Sequence, residues 1–574
     1  SFGHITLSEG LEIGGVFKAS LSNNDAGTSN TIFGKSAGLS LDAGSNFNVF
    51  IGEGVSTGSM NDAINNVAIG YHALSTVTTG DYNVAIGDHS MMLDKSGEVN
   101  VAVGTSALRS NTASQNTALG GNAMYANTTG ENNVAVGHNA LDANVSGDLN
   151  VAVGKDALGA YIGNAAVAVG REALRDLNHA DALGTVGIGQ GAGAAITSGQ
   201  ANTVIGYQAA NDLTTGDFNT VLGYQALDRA TTAALRNVAI GHQAMHGNLT
   251  TAAVVDCVAI GVNALEATLT ADASGTIAIG KGALTALTSG ARNTAVGFEA
   301  AKLLTSSNDN TCIGYQAGLD IDSAGSTPSN CTYIGSGAGE NKDDGTNNTA
   351  VGRHALQGTA ANGQTANNNV AFGYQTGAGV TTGDNNVFIG GGAGYDGVAT
   401  AAGSGNVIVG SGARQSGTNV SNEIVFGNDA AGQGTNTILL GNGSVDGTNG
   451  LFCADTGIAT PSDKRIKDNI KDNSTGLNYI NKLRTVTYQK RHPEDYPEEL
   501  QGAFGDAKKP KDWVAKTEVG LISQEVKAVM DELEIDIQGH HTNPQGLQTV
   551  KYVSFIIPLV KAVQELSEQV KEQA

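Results

Sequence analysis

The chain has 574 residues, 80 of them glycine, and its 54 acidic residues outnumber 31 basic ones to give a formal net charge of −23. Before residue 462 the balance is 15 Lys and Arg against 36 Asp and Glu. This excludes a basic stripe for nucleic acid, and no apolar run reaches the ~20 residues that a membrane helix needs. We therefore expect no nucleic-acid partner and no membrane insertion.

A five-residue pattern, first clear at Asn66-Val67-Ala68-Ile69-Gly70, organises most of the chain. It occurs in 24 copies between residues 30 and 441, most often 17 residues apart. The residue before the closing glycine is always Ile, Val, Leu or Phe, and the residue three before it is always Val, Ile or Thr. This alternation predicts a short strand, whereas a helix would lose about 1 kcal/mol at each glycine.

Such short strands must stack, because one strand with one apolar face cannot bury that face alone. We predict a mainly β chain in which about 24 short repeats form a parallel β-solenoid. Asn occupies the position four before the glycine in 17 copies, and we expect these amides to hydrogen-bond to one another as a ladder. Residues such as Ala73 and Leu74, after the glycine, are expected to form a second wall of each coil.

Two surface features of the repeats were considered as binding sites. The acids after the turn glycine are Asp81, Glu98, Glu131, Asp148, Asp217 and Asp384, and the tyrosines after the closing glycine are Tyr71, Tyr207, Tyr224, Tyr315 and Tyr374. One carboxylate per coil is a thin ligand set for calcium, which takes about six to eight oxygens, so solvated turn residues are favoured. The tyrosines could stack on sugars, but packing over the adjacent turn is commoner. We expect no metal and no cofactor.

The four cysteines, Cys257, Cys312, Cys331 and Cys453, make no spaced metal motif. Cys312 and Cys331 lie in adjacent copies but two positions apart along the strand, which places their Cα atoms roughly 8 Å apart, beyond disulfide reach. Free, buried thiols are the preferred interpretation.

The Asn-Val-Ala-Ile-Gly unit resembles the head repeats of trimeric autotransporter adhesins over roughly residues 30 to 441, although the period here is longer than is usual in those heads. The resemblance implies a left-handed parallel β-roll and a homotrimer. Periodicity by itself indicates only stacking within one chain.

Composition divides the chain near residue 461, after which five of the seven prolines and the one tryptophan occur. We expect an N-terminal cap or lead-in over residues 1–29, the repeats over 30–441, a glycine-rich linker over 442–461, and a small α+β domain over 462–574. Within that domain we predict a short helix at 477–483, a strand at 485–488 and a terminal helix. Its heptad seam is Ile556, Leu559, Val563, Leu566 and Val570. Helix association and packing within the domain both explain this seam.

Three stretches of the C-terminal part resemble, in order, the endosialidase-type intramolecular chaperone domain of phage tail fibres and tailspikes. They are Ser462-Asp463-Lys464-Arg465-Ile466-Lys467, Gly520-Leu521-Ile522-Ser523-Gln524-Glu525-Val526, and the tail from Tyr552 to Leu566. The resemblance implies a self-cleaving module that cuts between Pro461 and Ser462, with Ser462 as nucleophile and Lys467 as its base. A lysine takes a serine proton only where burial lowers its pKa.

Together these observations predict a phage tail fibre: a homotrimer of the virion, assembled in the host cytoplasm, joined to other tail proteins at its N-terminal side and recognising a host cell-surface receptor, expected to be a glycan. The C-terminal domain would direct trimerisation and folding and then leave by autoproteolysis. One alternative is a bacterial trimeric surface adhesin, which needs a terminal membrane anchor. Another is a glycan-degrading tailspike, which needs a carboxylate pair on a fixed scaffold.

Overall fold

The computed structural model describes residues 11–13, 17–19, 21–22, 29–230, 234–249, 254–322, 327–341, 345–358, 365–395, 402–441, 450–454, 457–459, 467–492, 495, 515, 517–537, 539–542 and 548–573. The chain divides into two compact units, Ser1–Thr460 and Pro461–Ala574.

The first unit is a parallel β-solenoid of about 23 turns, so the predicted fold is confirmed. Its strands β4 to β27 each pair with the next in the same register; Ala68, for example, lies opposite Ala85. In order they are Thr31–Phe33, Val49–Ile51, Val67–Ile69, Val84–Ile86, Val101–Val103, Thr117–Leu119, Val134–Val136, Val151–Val153, Val167–Val169, Val186–Ile188, Thr203–Ile205, Thr220–Leu222, Val238–Ile240, Val258–Ile260, Ile277–Ile279, Thr294–Val296, Thr311–Ile313, Thr332–Ile334, Thr349–Val351, Val370–Phe372, Val387–Ile389, Val407–Val409, Ile424–Phe426 and Thr437–Gly441. A 3-10 turn, Ala271–Ala273, lies in one of the longer connections.

Antiparallel strands flank the solenoid on both sides. Strands β1 (Leu11–Ile13) and β2 (Phe17–Ala19) pair with each other, and β3 (Leu21–Ser22) pairs with β4. After β27, strands β28 (Gly450–Ala454) and β29 (Gly457–Ala459) continue the same sheet in antiparallel order. The segment assigned to a linker from its composition therefore contains two strands.

The small middle residue of each strand, rather than the β-branched pair around it, points into the solenoid. Ala68 is fully buried, whereas Val67 and Ile69 are only half-buried. In the single chain the β-branched pair therefore lies on the outward face of the strand. The inward residue is usually small because the wall on the other side of the coil already fills its interior. Where the middle residue is large, the opposite wall is small: a Cβ on Gly377 would lie 2.8 Å from the ring of buried Phe388.

The second wall of each coil consists of turns. Ala140 and Leu141 are fully buried there, as predicted. Asn139 and Leu141 have φ values of 53° and 54°, a left-handed conformation that is unusual for leucine. Hydrogen bonds between coils hold this conformation, since the Leu141 N–H donates to the Ala157 carbonyl at 2.9 Å.

The asparagine ladder joins side chains mainly to backbone rather than amide to amide. Oδ1 of Asn133 accepts a hydrogen bond of 2.9 Å from the backbone N–H of Asn150 in the next coil. Its Nδ2 donates at 2.8 Å to the carbonyl of the turn residue Gly147. The amide contact to Asn116 Oδ1 is longer, at 3.2 Å. Each asparagine thus fastens both the strand and the turn of the following coil.

The second unit is a small α+β region that ends in a helix, as predicted. It contains α1 (Leu477–Lys482), β30 (Val486–Gln489), β31 (Thr517–Gly520), α2 (Ser523–Glu532), β32 (His540–Thr542), β33 (Gln548–Val550), a 3-10 turn (Tyr552–Phe555) and α3 (Ile556–Gln573). Strands β30 and β31 pair antiparallel, as do β32 and β33.

Candidate functional site

The predicted cleavage site is only partly described. Pro461 and Ser462 lie outside the described residues, and Lys467 is exposed at the start of the segment 467–492. A lysine that acts as a base needs a desolvated amine. Within the described part of the second unit, no residue buries the Lys467 side chain.

The second and third motifs meet in the core of the second unit. Tyr479 of α1 and Phe555 stack with ring centroids 6.1 Å apart, and both pack with Val526 of α2. Burial raises the pKa of Tyr479 to about 12. The hydroxyl of Tyr552 accepts a 2.9 Å hydrogen bond from the N–H of Leu521, which joins the third motif to the second.

Two carboxylates of these motifs hold the helices in place. Glu565 of α3 accepts a hydrogen bond of 2.7 Å from the N–H of Leu477 and so caps the start of α1. A Cβ on Gly476 would lie 2.5 Å from this carboxylate, which explains a glycine there. Arg484 hydrogen-bonds to Glu525 and holds the pKa of that carboxyl below its usual range.

The heptad seam of α3 is exposed. The helix packs within its unit through the neighbouring side, where Pro558 and Ala562 are buried. On the seam, Val563 is 64% exposed, Leu566 50% and Val570 58%. Packing within the unit therefore does not use the seam, and its spacing is that of helices that associate.

An apolar groove adjoins this seam. It has a volume of about 300 Å³, and its lining includes Ile480, Leu483, Leu521, Phe555 and Leu559. Leu559 belongs to both the groove and the seam, so the two form one continuous apolar surface on the second unit.

The solenoid also carries an apolar outer face. The β-branched pairs of its strands are half-exposed on this face. Large side chains five positions before the closing glycine extend it, and Phe47, Tyr82, Leu149 and Phe218 are 58%, 55%, 61% and 53% exposed. Exposed apolar side chains that recur along the stacked strands are typical of an interaction surface.

The turn acids have a structural role that the sequence did not indicate. Asp81 accepts a hydrogen bond of 2.7 Å from the N–H of Ile64 in the preceding coil, and Asp148 accepts one of 2.8 Å from Glu131. Asp217 and Asp384 accept equivalent bonds. They are not simply solvated. No group of three or more potential metal ligands occurs among the described residues.

Tyr207, Tyr224 and Tyr315 stack on rings of neighbouring coils, whereas Tyr71 meets His72 and His89 edge-on and Tyr374 has the Arg353 guanidinium over its ring. The centroids of Tyr207 and Tyr224 lie 5.3 Å apart, and those of Tyr224 and His242 lie 5.1 Å apart. Phe298 and Tyr315 form a second stack at 5.3 Å. The sequence pattern placed these rings in one row but did not show which faces are covered.

Within the described part of the chain, no helix combines the length and hydrophobicity of a bilayer crossing.

Residues 462–533 match the model of the family described as chaperone of endosialidase, a range that contains the first two motifs. Comparison of the chain with curated proteins and with solved structures finds no match. A long β-solenoid followed by this match fits a tail fibre that carries a C-terminal chaperone.

Proposed function

We propose that this chain is a subunit of a homotrimeric phage tail fibre whose C-terminal unit directs assembly and is then released by autoproteolysis between Pro461 and Ser462. The observation that carries the proposal is the exposed seam of α3, with Val563 64% exposed. An apolar helix face is left open in this way when other copies cover it. The adjoining groove supplies further surface for the same contact.

The outer face of the solenoid supports three-chain assembly independently. Its half-exposed β-branched pairs recur along the stacked strands and form an apolar surface that other copies of the chain would cover. Contact between chains would remove these apolar side chains from water.

A separate assembly unit is needed because the repeats themselves do not fix the alignment of coils between the three chains. The coils are so alike that three chains could pair one coil out of alignment at little local cost. The C-terminal unit aligns the three ends so that winding starts in register. Its later removal leaves a shaft that cannot easily retrace its folding path, which is kinetic stability.

The cleavage chemistry needs the assembled protein. The Ser462 hydroxyl attacks the carbonyl of Pro461 and its proton passes to the neutral Lys467 amine. The lysine then gives that proton to the peptide nitrogen, the C–N bond breaks to leave the amino group of Ser462, and an ester between Pro461 and the Ser462 oxygen remains. Water then hydrolyses the ester and regenerates the serine. Lys467 is exposed in the single chain, and docking of other chains is the step that buries it.

The fibre serves in the virion, where its N-terminal side joins other tail proteins and its shaft meets a host receptor. A glycan receptor is favoured because the matched family is named for an endosialidase, an enzyme of glycans. The protein is assembled in the host cytoplasm before it joins the particle.

Expression of the full chain and of its Ser462→Ala variant tests this proposal. We expect fragments of 461 and 113 residues from the unaltered chain, and one uncut 574-residue chain from the variant. The exposed Ser474→Ala is the matched control and should be cut normally. Light scattering should give trimers in all three cases. If the unaltered chain forms a trimer that is not cut, the proposed autoproteolysis is wrong. If the unaltered chain is a monomer, the proposed fibre is wrong.

A further inference from the structure

The residue directly after each closing glycine faces outward, and these residues form what we call the outer row. Over the seven coils that begin at Gly280, the outer row contains two cations, three rings and two small residues. In order they are Lys281, Phe298, Tyr315, Ser336, Arg353, Tyr374 and Gly391. The side chains of Lys281, Phe298, Tyr315, Arg353 and Tyr374 are all exposed.

The first group in the outer row consists of Lys281, Phe298 and Tyr315. Among the described residues, its last ring has one uncovered face. The Lys281 ammonium lies 5.7 Å from the centroid of Phe298, and Phe298 stacks on Tyr315 with 6° between the ring planes. The other face of Tyr315 is turned toward the next coil, where the outer row has Ser336. A serine is too short to cover a ring, and Tyr315 is 54% exposed.

The second group consists of Arg353 and Tyr374 and has the same order, with the cation before the ring. The Arg353 guanidinium lies 5.7 Å from the centroid of Tyr374 and covers one ring face. On the other side the outer row has Gly391, and a Cβ on Gly391 or Gly392 would meet nothing within 4 Å. Among the described residues, the second face of Tyr374 is therefore open, and the residue is 50% exposed.

Tyr224, in another part of the outer row, has both ring faces covered. Tyr224 has the Tyr207 ring on one face at 5.3 Å and the His242 ring on the other at 5.1 Å. An aromatic face serves as a platform only when it is free, so Tyr224 offers its edge alone. The open faces of Tyr315 and Tyr374 come from the small residues that follow them.

We infer that Tyr315 and Tyr374 are two subsites for one acidic glycan, with Arg353 binding an acidic group between them; this inference rests on the proposed receptor-binding function. The apolar face of a pyranose ring stacks on a free phenol face. The guanidinium pairs with a carboxylate. Three coil steps separate the two tyrosines, about 14 Å along the stack, so a short oligosaccharide reaches both.

The local charges favour this assignment. Glu340, in the coil directly before Arg353, accepts a hydrogen bond of 2.8 Å from Nε2 of Gln357. Glu299, three coils before Arg353, is engaged by Lys302 at 2.7 Å and by Gln316 at 2.9 Å, and Lys302 holds the pKa of Glu299 below its usual range. Arg353 is thus an exposed cation on an otherwise acidic rod. Because the negatively charged rod repels anions in general, an acidic glycan also needs its stacking contacts with Tyr315 and Tyr374 to bind.

Trimers of the full chain are tested on an immobilised array of uronic-acid- and sialic-acid-containing oligosaccharides of about six sugars, beside their carboxyl-reduced neutral counterparts. We expect binding to at least one acidic oligosaccharide and none to its reduced form. Tyr315→Ala, Tyr374→Ala and Arg353→Gln should each weaken binding about tenfold. Tyr224→Ala, a ring covered on both faces, should bind normally.

Three results would overturn the inference: no acidic oligosaccharide bound by the unaltered chain, equal binding to the reduced form, or the same loss in Tyr224→Ala as in Tyr315→Ala. Light scattering and intact mass of the same samples report trimerisation and cleavage. If these are as proposed while array binding fails, the glycan site is wrong and the fibre assignment stands.

Discussion

Asn111 donates a hydrogen bond of 3.1 Å from Nδ2 to Oδ2 of Asp94 in the preceding coil. Asn127 donates to Asn111 at 2.7 Å, and Asn144 donates to Asn127 at 3.0 Å. These four side chains are fully buried and form a second polar ladder inside the solenoid, whereas the coil before Asp94 has the apolar Val77 at this position. The ladder therefore ends on a buried carboxylate.

The ionisation of Asp94 should make the solenoid less stable as the pH rises. Burial raises the pKa of Asp94 from 3.8 to about 6. Below about pH 4 the carboxyl is protonated in both folded and unfolded chains, so its stabilising contribution is fully present. That contribution is lost as the pH rises to about 6, and the loss above this is about 3 kcal/mol per chain.

Asp94→Asn should remove this loss of folding stability at high pH. The variant is expected to unfold at a higher temperature than the unaltered chain at pH 8 and at nearly the same temperature at pH 4, in circular-dichroism melts at one heating rate. Glu98→Gln, an exposed acid in the following turn, is the control and should change neither value. A variant no more stable than the unaltered chain at pH 8 would show that Asp94 is not desolvated.

Asn133→Ala should destabilise its coil by about 1–3 kcal/mol, because it leaves the N–H of Asn150 and the carbonyl of Gly147 without their partner. The coil itself should survive, since Ala166 occupies the same position in another copy. Thermal melts against Thr129→Ala, an exposed residue of the preceding turn, measure the effect. Equal melting of the two variants would mean that the ladder contributes nothing.

The strand, its period and the solenoid could be predicted from sequence because each depends on residues within one copy. The residue of each strand that points inward could not, since it depends on volumes across the coil: Phe388 fits because Gly377 and Gly394 both leave room for its ring. The partners of Asn133 also depend on the conformation of the following turn.

The candidate sites show the same limit. Ser462 and Lys467 come from a motif, but a motif does not show how deeply the lysine is buried, and Lys467 is exposed in the single chain. The open face of Tyr315 depends on Ser336, which lies one coil later. A row of tyrosines could be found in the sequence, whereas covered and uncovered rings could be distinguished only in the structure.

Gly104→Ala should prevent correct stacking of its coil. Gly104 has a φ of 136°, and a Cβ there would lie 2.5 Å from the carbonyl oxygen of Gly120. The expected result is a large loss of soluble, protease-resistant fibre. Gly121→Ala is the matched control, because its Cβ would lie 3.5 Å from His138 and its φ is not positive. Normal fibre from Gly104→Ala would contradict the requirement for glycine.

Val563→Asp should abolish both trimerisation and cleavage while leaving the second unit folded. Val563 is exposed on the seam of α3, so an added carboxylate costs the isolated unit little. In a trimer the same position would face its counterparts, and three buried like charges would oppose association. Loss of assembly should then leave Lys467 exposed and the Pro461–Ser462 bond intact.

Light scattering and intact mass measure the two effects, and helical circular dichroism reports folding of the second unit. Glu568→Lys, an exposed change on the same helix but off the seam, should remain trimeric and cleaved. A Val563→Asp protein that is monomeric yet still cleaved would separate cleavage from assembly. One that is trimeric and cleaved would show that the chains meet elsewhere, since a buried aspartate at each copy of the seam is incompatible with close helix packing.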